Sequence, residues 1–188
     1  MQTIRAFAAI EVSPSIRAAL TKVITRLDDT DNSIKWVDPQ QLHLTVHFLG
    51  DLRYQDIQPV CRAIKEAVGE LDPFELQLRS VGAFPDLHAP RVIWVGIEMG
   101  HEPLVELQRA LDGPLADLGY PSDKRHFKPH VTLGRVKRLS RLAPLVEAIE
   151  SLSDVNGGSM IVDELTLFES VLSRRGPDYT AIAEFELG

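Results

Sequence analysis

Two histidines, His43 and His130, open matched tetrapeptides, His43-Leu44-Thr45-Val46 and His130-Val131-Thr132-Leu133. Both lie in short apolar, β-branched runs that read as strands. Side chains alternate across a strand, so each imidazole shares a face with the threonine two places on. Leu44, Val46, Val131 and Leu133 then turn the other way, toward a core. Histidine takes or gives a proton near neutrality, at a reference pKa of about 6.5. Two imidazoles and two hydroxyls therefore suit acid–base chemistry around a small oxyanion. In such chemistry one ring takes a proton and the other gives one.

Further groups flank the motifs. Arg135 stands five places after His130, and its guanidinium fork matches two phosphate oxygens. In a regular strand its phase is opposite to that of His130, but Gly134 could supply a bulge that re-aims it. Phe48 and Phe127 offer rings on which a base could stack. Phe48 alternates opposite to His43 and reads as core, whereas Phe127 lies in a basic loop and is a candidate substrate contact. His47 shares the phase of His43 and Thr45, so it either edges the cleft or is a satisfied or solvent-facing histidine. His88, His101 and His126 read as surface, with His126 singled out because Arg125 precedes it.

The same residues argue against other chemistries. Four places on a strand span roughly 13 Å, too far for His43 and His47 to share one metal ion. The chain has neither a His-Glu-x-x-His segment nor a cysteine pair, so no metal is expected. There is no Walker A segment, Rossmann glycine pattern or nucleophile elbow, so no cofactor or serine nucleophile is expected. Cys61 is the only cysteine and reads as a small apolar helix residue.

The elements that must position the motifs repeat at an offset of 87 positions. His43 falls on His130, Thr45 on Thr132, and the strand from Arg5 to Glu11 on the one from Val92 to Glu98. Strands are predicted at 4–11, 42–49, 74–82, 91–98, 130–136, 161–169 and 178–186. Helices are predicted at 14–27, 55–69, 102–118 and 141–152. Pro14 fits a first helical turn capped by Ser13, and Leu104, Leu107, Leu111 and Leu115 recur at helical spacing. Residues 82–90 read as a loop joining the halves and Asn156-Gly157-Gly158-Ser159 as a turn. The expectation is an α+β fold. One domain over 1–188 would consist of two pseudo-symmetric lobes, approximately 1–86 and 87–188, whose antiparallel sheets flank a central cleft.

A hydrophobic fraction of 44% and a charged fraction of 25% are those of a soluble globular chain. The net charge is −7, which argues against broad coating of nucleic acid. Residues 121–141, however, hold Lys124, Arg125, Lys128, Arg135, Lys137, Arg138 and Arg141 against Asp123 alone, a net +6 that leaves the remainder at −13. A locally positive site on an acidic protein suits a compact anion or the end of a nucleic acid. The opening residues lack signal-peptide character and no apolar run is long enough to span a bilayer, so a cytoplasmic protein without membrane contact is expected. No feature calls for an obligate protein partner, and a monomer is expected.

With motifs and flanks together, the sequence resembles the two-histidine (2H) phosphoesterase superfamily. Within it, the chain is most similar to bacterial and archaeal RNA 2′,3′-cyclic phosphodiesterases, also called 2′-5′ RNA ligase-like proteins. The resemblance runs through Arg5-Ala-Phe-Ala-Ala-Ile, Trp36-Val37, His43-Leu-Thr-Val-His-Phe-Leu-Gly50 and Val81-Gly-Ala-Phe-Pro85. It continues through Arg91-Val-Ile-Trp94, Arg125-His-Phe-Lys-Pro-His-Val-Thr-Leu-Gly-Arg135, Glu169-Ser-Val-Leu-Ser and Gly176-Pro-Asp-Tyr179. It implies hydrolysis of 2′,3′-cyclic phosphate ends of RNA, or of small cyclic nucleotides, to 2′-phosphomonoesters without metal, with reversible 2′-5′ joining. It implies His130 as proton acceptor from water and His43 as proton donor to the leaving 3′ oxygen, with Thr45 and Thr132 binding the non-bridging phosphate oxygens, although the residues alone leave the two histidine roles interchangeable. The alternatives are a related enzyme acting on another cyclic or 2′-linked nucleotide, and a non-catalytic module that binds RNA ends.

Overall fold

The computed structural model describes residues 2–30, 33–122, 127–173 and 176–188. In chain order the elements are β1 (Thr3–Glu11), α1 (Pro14–Asp28), β2 (Ser33–Trp36), β3 (His43–Arg53), α2 (Ile57–Val68), β4 (Phe74–Phe84) and β5 (Val92–Met99). There follow α3 (His101–Asp117), β6 (Val131–Arg138), α4 (Leu142–Glu150), β7 (Asn156–Val162), β8 (Glu164–Leu172) and β9 (Pro177–Glu186). Each helix forms for a local reason. Ser13 caps α1 by accepting from the Ile16 amide, Pro14 starts it, and Ile16, Leu20, Val23 and Leu27 bury one stripe. Leu104, Leu107, Leu111 and Leu115 do the same along α3.

All strand pairs are antiparallel, and the path runs β7-β4-β5-β6-β3-β1-β8-β9, with β2 also on β6. The two motif strands meet in the middle through the single pair Leu44–Val131. On one side of that seam stand β3, β1, β8 and β9, backed by α2 and α3; on the other stand β6, β5, β4 and β7, backed by α1 and α4. Leu44 and Val131 are fully buried in one continuous core, so truncating Leu44 to Ala would cost about 2–5 kcal/mol.

The α+β class with antiparallel sheets holds, but the lobes are not the contiguous segments 1–86 and 87–188. β4 forms a hairpin with β5, its successor, and so joins the second lobe, while β8 returns to pair with β1. Short hairpin connections favour pairing of consecutive strands, and that local rule overrides the division at the repeat. The repeat survives as an exchange of equivalent elements between lobes.

Two elements differ from the sequence expectation. β2 was not predicted, and 156–159, read as a turn, begins β7. Gly157 is there for close packing: a Cβ on it would sit 2.7 Å from the Leu78 Cβ of the neighbouring strand. Cys61 lies on α2 against the core, and burial raises its thiol pKa. No described helix is long and apolar enough to cross a membrane.

Candidate active site

The motif strands are interrupted by bulges at equivalent places. Along β3, Thr45 pairs with Ala9 and His47 with Ala8, so Val46 is an extra residue and the alternation flips. His47 is thereby turned into the protein, with 2% exposure, where Nε2 donates to the Tyr120 carbonyl at 2.9 Å and Nδ1 is left without a partner. Phe48 emerges on the face of His43 at 61% exposure, its ring 6.0 Å from that of Phe7. Phe48 is therefore not a core residue, and His47 leaves the face of His43 for a buried position where one ring nitrogen is satisfied, the alternative to edging the cleft. His43 and His47 now lie on opposite faces and cannot share a ligand.

Along β6, Thr132 pairs with Trp94 and Gly134 with Ile93, so Leu133 is the extra residue. Leu133 and Gly134 both face inward, and Arg135 returns to the face of His130 and Thr132, exposed to solvent. Gly134 has the small profile this requires, since a Cβ there would lie 2.6 Å from the Trp36 ring. Phe48 and Arg135 are themselves 87 positions apart. A symmetric frame thus carries an aromatic ring on one side and a cation on the other.

At the seam, continuing the Leu44–Val131 pairing by one residue sets His43 across from Thr132 and His130 across from Thr45. The two imidazoles are held alike. His43 Nδ1 donates to the Gln41 carbonyl at 2.7 Å, and His130 Nδ1 to the Lys128 carbonyl at 2.6 Å, each two residues back. A carbonyl can only accept, so Nδ1 carries the hydrogen in both rings, and Nε2 is the atom left for chemistry. Neither threonine hydroxyl has a hydrogen-bond partner among the described residues.

Burial holds the pKa of His43 below the ordinary imidazole value; its bond to Gln41 partly restores it, and charge on His130 lowers it again. Burial likewise lowers His130, the Lys128 carbonyl opposes the shift, and Arg135 adds to it. These couplings place His43 within electrostatic reach of His130, and His130 within reach of Arg135.

Aromatic rings wall the site. His43 meets Phe7 at 5.0 Å and the edge of Tyr179 at 5.2 Å; His130 meets Phe84 edge-on at 4.9 Å and Trp94 at 6.4 Å. Phe7, Ala9 and Phe168 form a small separate cluster with Tyr179 against it. Trp94 lies over Gly82, where any Cβ would strike the indole. Phe127 is half-buried against the main core and makes no ring contact with either histidine. His88 and His101 are exposed, whereas His126 falls outside the described residues. Phe7, Phe84, Trp94 and Tyr179 are site residues that the motifs do not mark. A usable signal existed for two of them, since Phe7 and Trp94 are 87 positions apart.

No described group of three or more His, Cys, Asp or Glu side chains could hold a metal ion. A cavity of about 350 Å³ lies elsewhere, lined by Asp163, Glu164, Glu186 and Leu187. Its three carboxylates would repel a phosphate.

The sequence profile of the 2′-5′ RNA ligase superfamily matches residues 11–173. The chain belongs to this superfamily. It is 34% identical to the RNA 2′,3′-cyclic phosphodiesterase of Methanothermobacter thermautotrophicus over 184 residues, covering 98% of this chain and 99% of the relative. It is 33% identical to the enzyme of that name from Aquifex aeolicus, with both chains covered in full. A solved structure from Thermus thermophilus superposes with a TM-score of 0.82 at 30% identity, covering 98% of each chain. The similarity therefore includes both lobes and the seam between them.

Proposed function

We propose that this superfamily member is an RNA 2′,3′-cyclic phosphodiesterase that opens cyclic phosphate ends to 2′-phosphomonoesters. The observation that carries the reading is the matched pair of imidazoles, each with Nδ1 committed to the carbonyl two residues back and Nε2 left for proton transfer. Water attacks phosphorus and gives its proton to His130 Nε2, the phosphorus–O3′ bond breaks, and His43 Nε2–H protonates the departing 3′ oxygen. The 2′ ester remains. Arg135 supports this direction, because a cation beside His130 disfavours a second positive charge and keeps that ring neutral for the role of base. Thr45 and Thr132 donate to non-bridging oxygens, and Arg135 offsets the charge that builds on them. Each positioned acid or base contributes roughly 10²–10⁴ in rate, about 3–5 kcal/mol. Run in the same direction with an RNA 5′-hydroxyl in place of water, the same steps join ends through a 2′-5′ linkage, and their reverse cleaves it.

Exposed Phe48 is better placed than Phe127 to stack a terminal base, because its ring stands free on the histidine face. Phosphorus NMR of the product from adenosine 2′,3′-cyclic phosphate tests the proposal. The 2′-monophosphate is expected. A 3′-monophosphate, or no turnover, would overturn it.

A further inference from the structure

Arg5 belongs to the opening segment that the catalytic reading leaves unused. It is exposed on β1, two residues before Phe7, and shares the face of Phe7 and Ala9 that looks onto the histidines. Tyr179 of β9 packs against this strand and the first motif histidine, its ring 5.0 Å from Phe7 and 5.2 Å from His43. Lys35 approaches from the other side. It pairs with Arg135 in register, and its Nζ would lie 3.2 Å from a Cβ on Gly176, three residues before Tyr179. Burial raises the Tyr179 phenol pKa, while Arg135 and Arg5 both pull it down, so both guanidiniums act on this one hydroxyl. Arg5, Lys35 and Arg135 form no ion pair among the described residues, although Asp51 stands across from Arg5 in the sheet. Two guanidiniums act on one phenol and Lys35 lies beside the segment that carries it; on a protein of net charge −7 such a cluster of cations is a cost unless an anion joins it.

We infer that Arg5, Lys35 and Tyr179 form a second phosphate subsite at the mouth of the cleft, taking the phosphate on the 5′ side of the terminal nucleotide. The inference rests on the cyclic-phosphodiesterase reading and refines its substrate: a nucleotide carrying a 5′ phosphate group is preferred to a bare nucleoside cyclic phosphate. The phosphate reaches this position while the cyclic phosphate occupies the seam, because Tyr179, whose ring meets His43, lies within the electrostatic reach of Arg5 and three residues after the glycine that Lys35 approaches. The hydroxyl donates one hydrogen bond, Arg5 offers a bidentate fork and Lys35 a point charge.

The test compares kcat/KM for three substrates: adenosine 2′,3′-cyclic phosphate, its 5′-phosphorylated form, and a dinucleotide ending in the same cyclic phosphate. Wild type is expected to favour one or both of the phosphate-bearing substrates by at least about tenfold, chiefly through KM. Arg5→Met and Lys35→Met should each cut that preference at least about threefold, and Arg5→Lys should keep part of it. Both side chains are exposed, so thermal melting should match wild type and separate binding from folding. A stronger gain with the dinucleotide assigns the subsite to a chain phosphodiester; a stronger gain with the 5′-monoester assigns it to a terminal phosphate. Equal kcat/KM for all three substrates, or a preference untouched by both substitutions, overturns the subsite and leaves the catalytic reading standing. Failure to turn over any of the three overturns both.

Discussion

Substituting His130 by asparagine separates proton transfer from architecture. The imidazole does two things: Nδ1–H holds the Lys128 carbonyl at 2.6 Å, and Nε2 faces the cleft. An asparagine amide can still donate from the Nδ position, so the hydrogen bond, worth about 0.5–1.5 kcal/mol, survives. The edge contact with Phe84, at 4.9 Å, is lost and costs about 0.5–1.5 kcal/mol. Stability should therefore drop by about 1 kcal/mol, a shift of about 2–4 °C in Tm for a chain of this size. His130→Ala loses both contacts and should fall further. Turnover should drop in both variants by at least about 10², because no other group replaces Nε2. Product formation from adenosine 2′,3′-cyclic phosphate and a thermal melt, run on the same preparations, give the two readouts. If His130→Asn kept its rate within about tenfold of wild type, Nε2 would not be a proton carrier and the mechanism would be wrong. His43→Asn makes the same test through Gln41, and the double variant should lose little more than the worse single one, since the rings act as a unit.

Arg135→Met removes the cation that depresses His130, so the His130 midpoint should rise and the acidic limb of the kcat/KM profile should move to higher pH, together with a higher KM; a pH–rate series checks the sign. Gly82→Ala places a methyl group in the Trp94 ring and should cost about 1–3 kcal/mol, seen as a lower denaturation midpoint, with a lower rate because Trp94 lies beside His130. Burial lowers the pKa of His47, so the neutral ring's contribution to stability is intact above about pH 6.5 and is lost as pH falls below it toward the native value. The slope is at most about 1.4 kcal/mol per pH unit, and denaturant melts at pH 7.5 and 5.5 should show a smaller loss for His47→Gln than for wild type.

The two histidines, their threonines and the duplication were legible in the sequence, because alternation within a strand and recurrence at 87 positions are local properties of the chain. So were the four helices and most strands, whose apolar stripes and caps act over a few residues. Gly134 even marked the bulge behind Arg135. Val46 carried no such mark, so the bulge that buries His47 and exposes Phe48 was invisible; it follows from how β3 registers against β1. The exchange of β4 and β8 between lobes and the gathering of Phe84 and Tyr179 beside the histidines arise from sheet pairings over the whole fold, not from short spacings. Residue types and short spacings decide which groups can exchange a proton. Which of them face one another depends on sheet register, and register is set by packing over the whole fold.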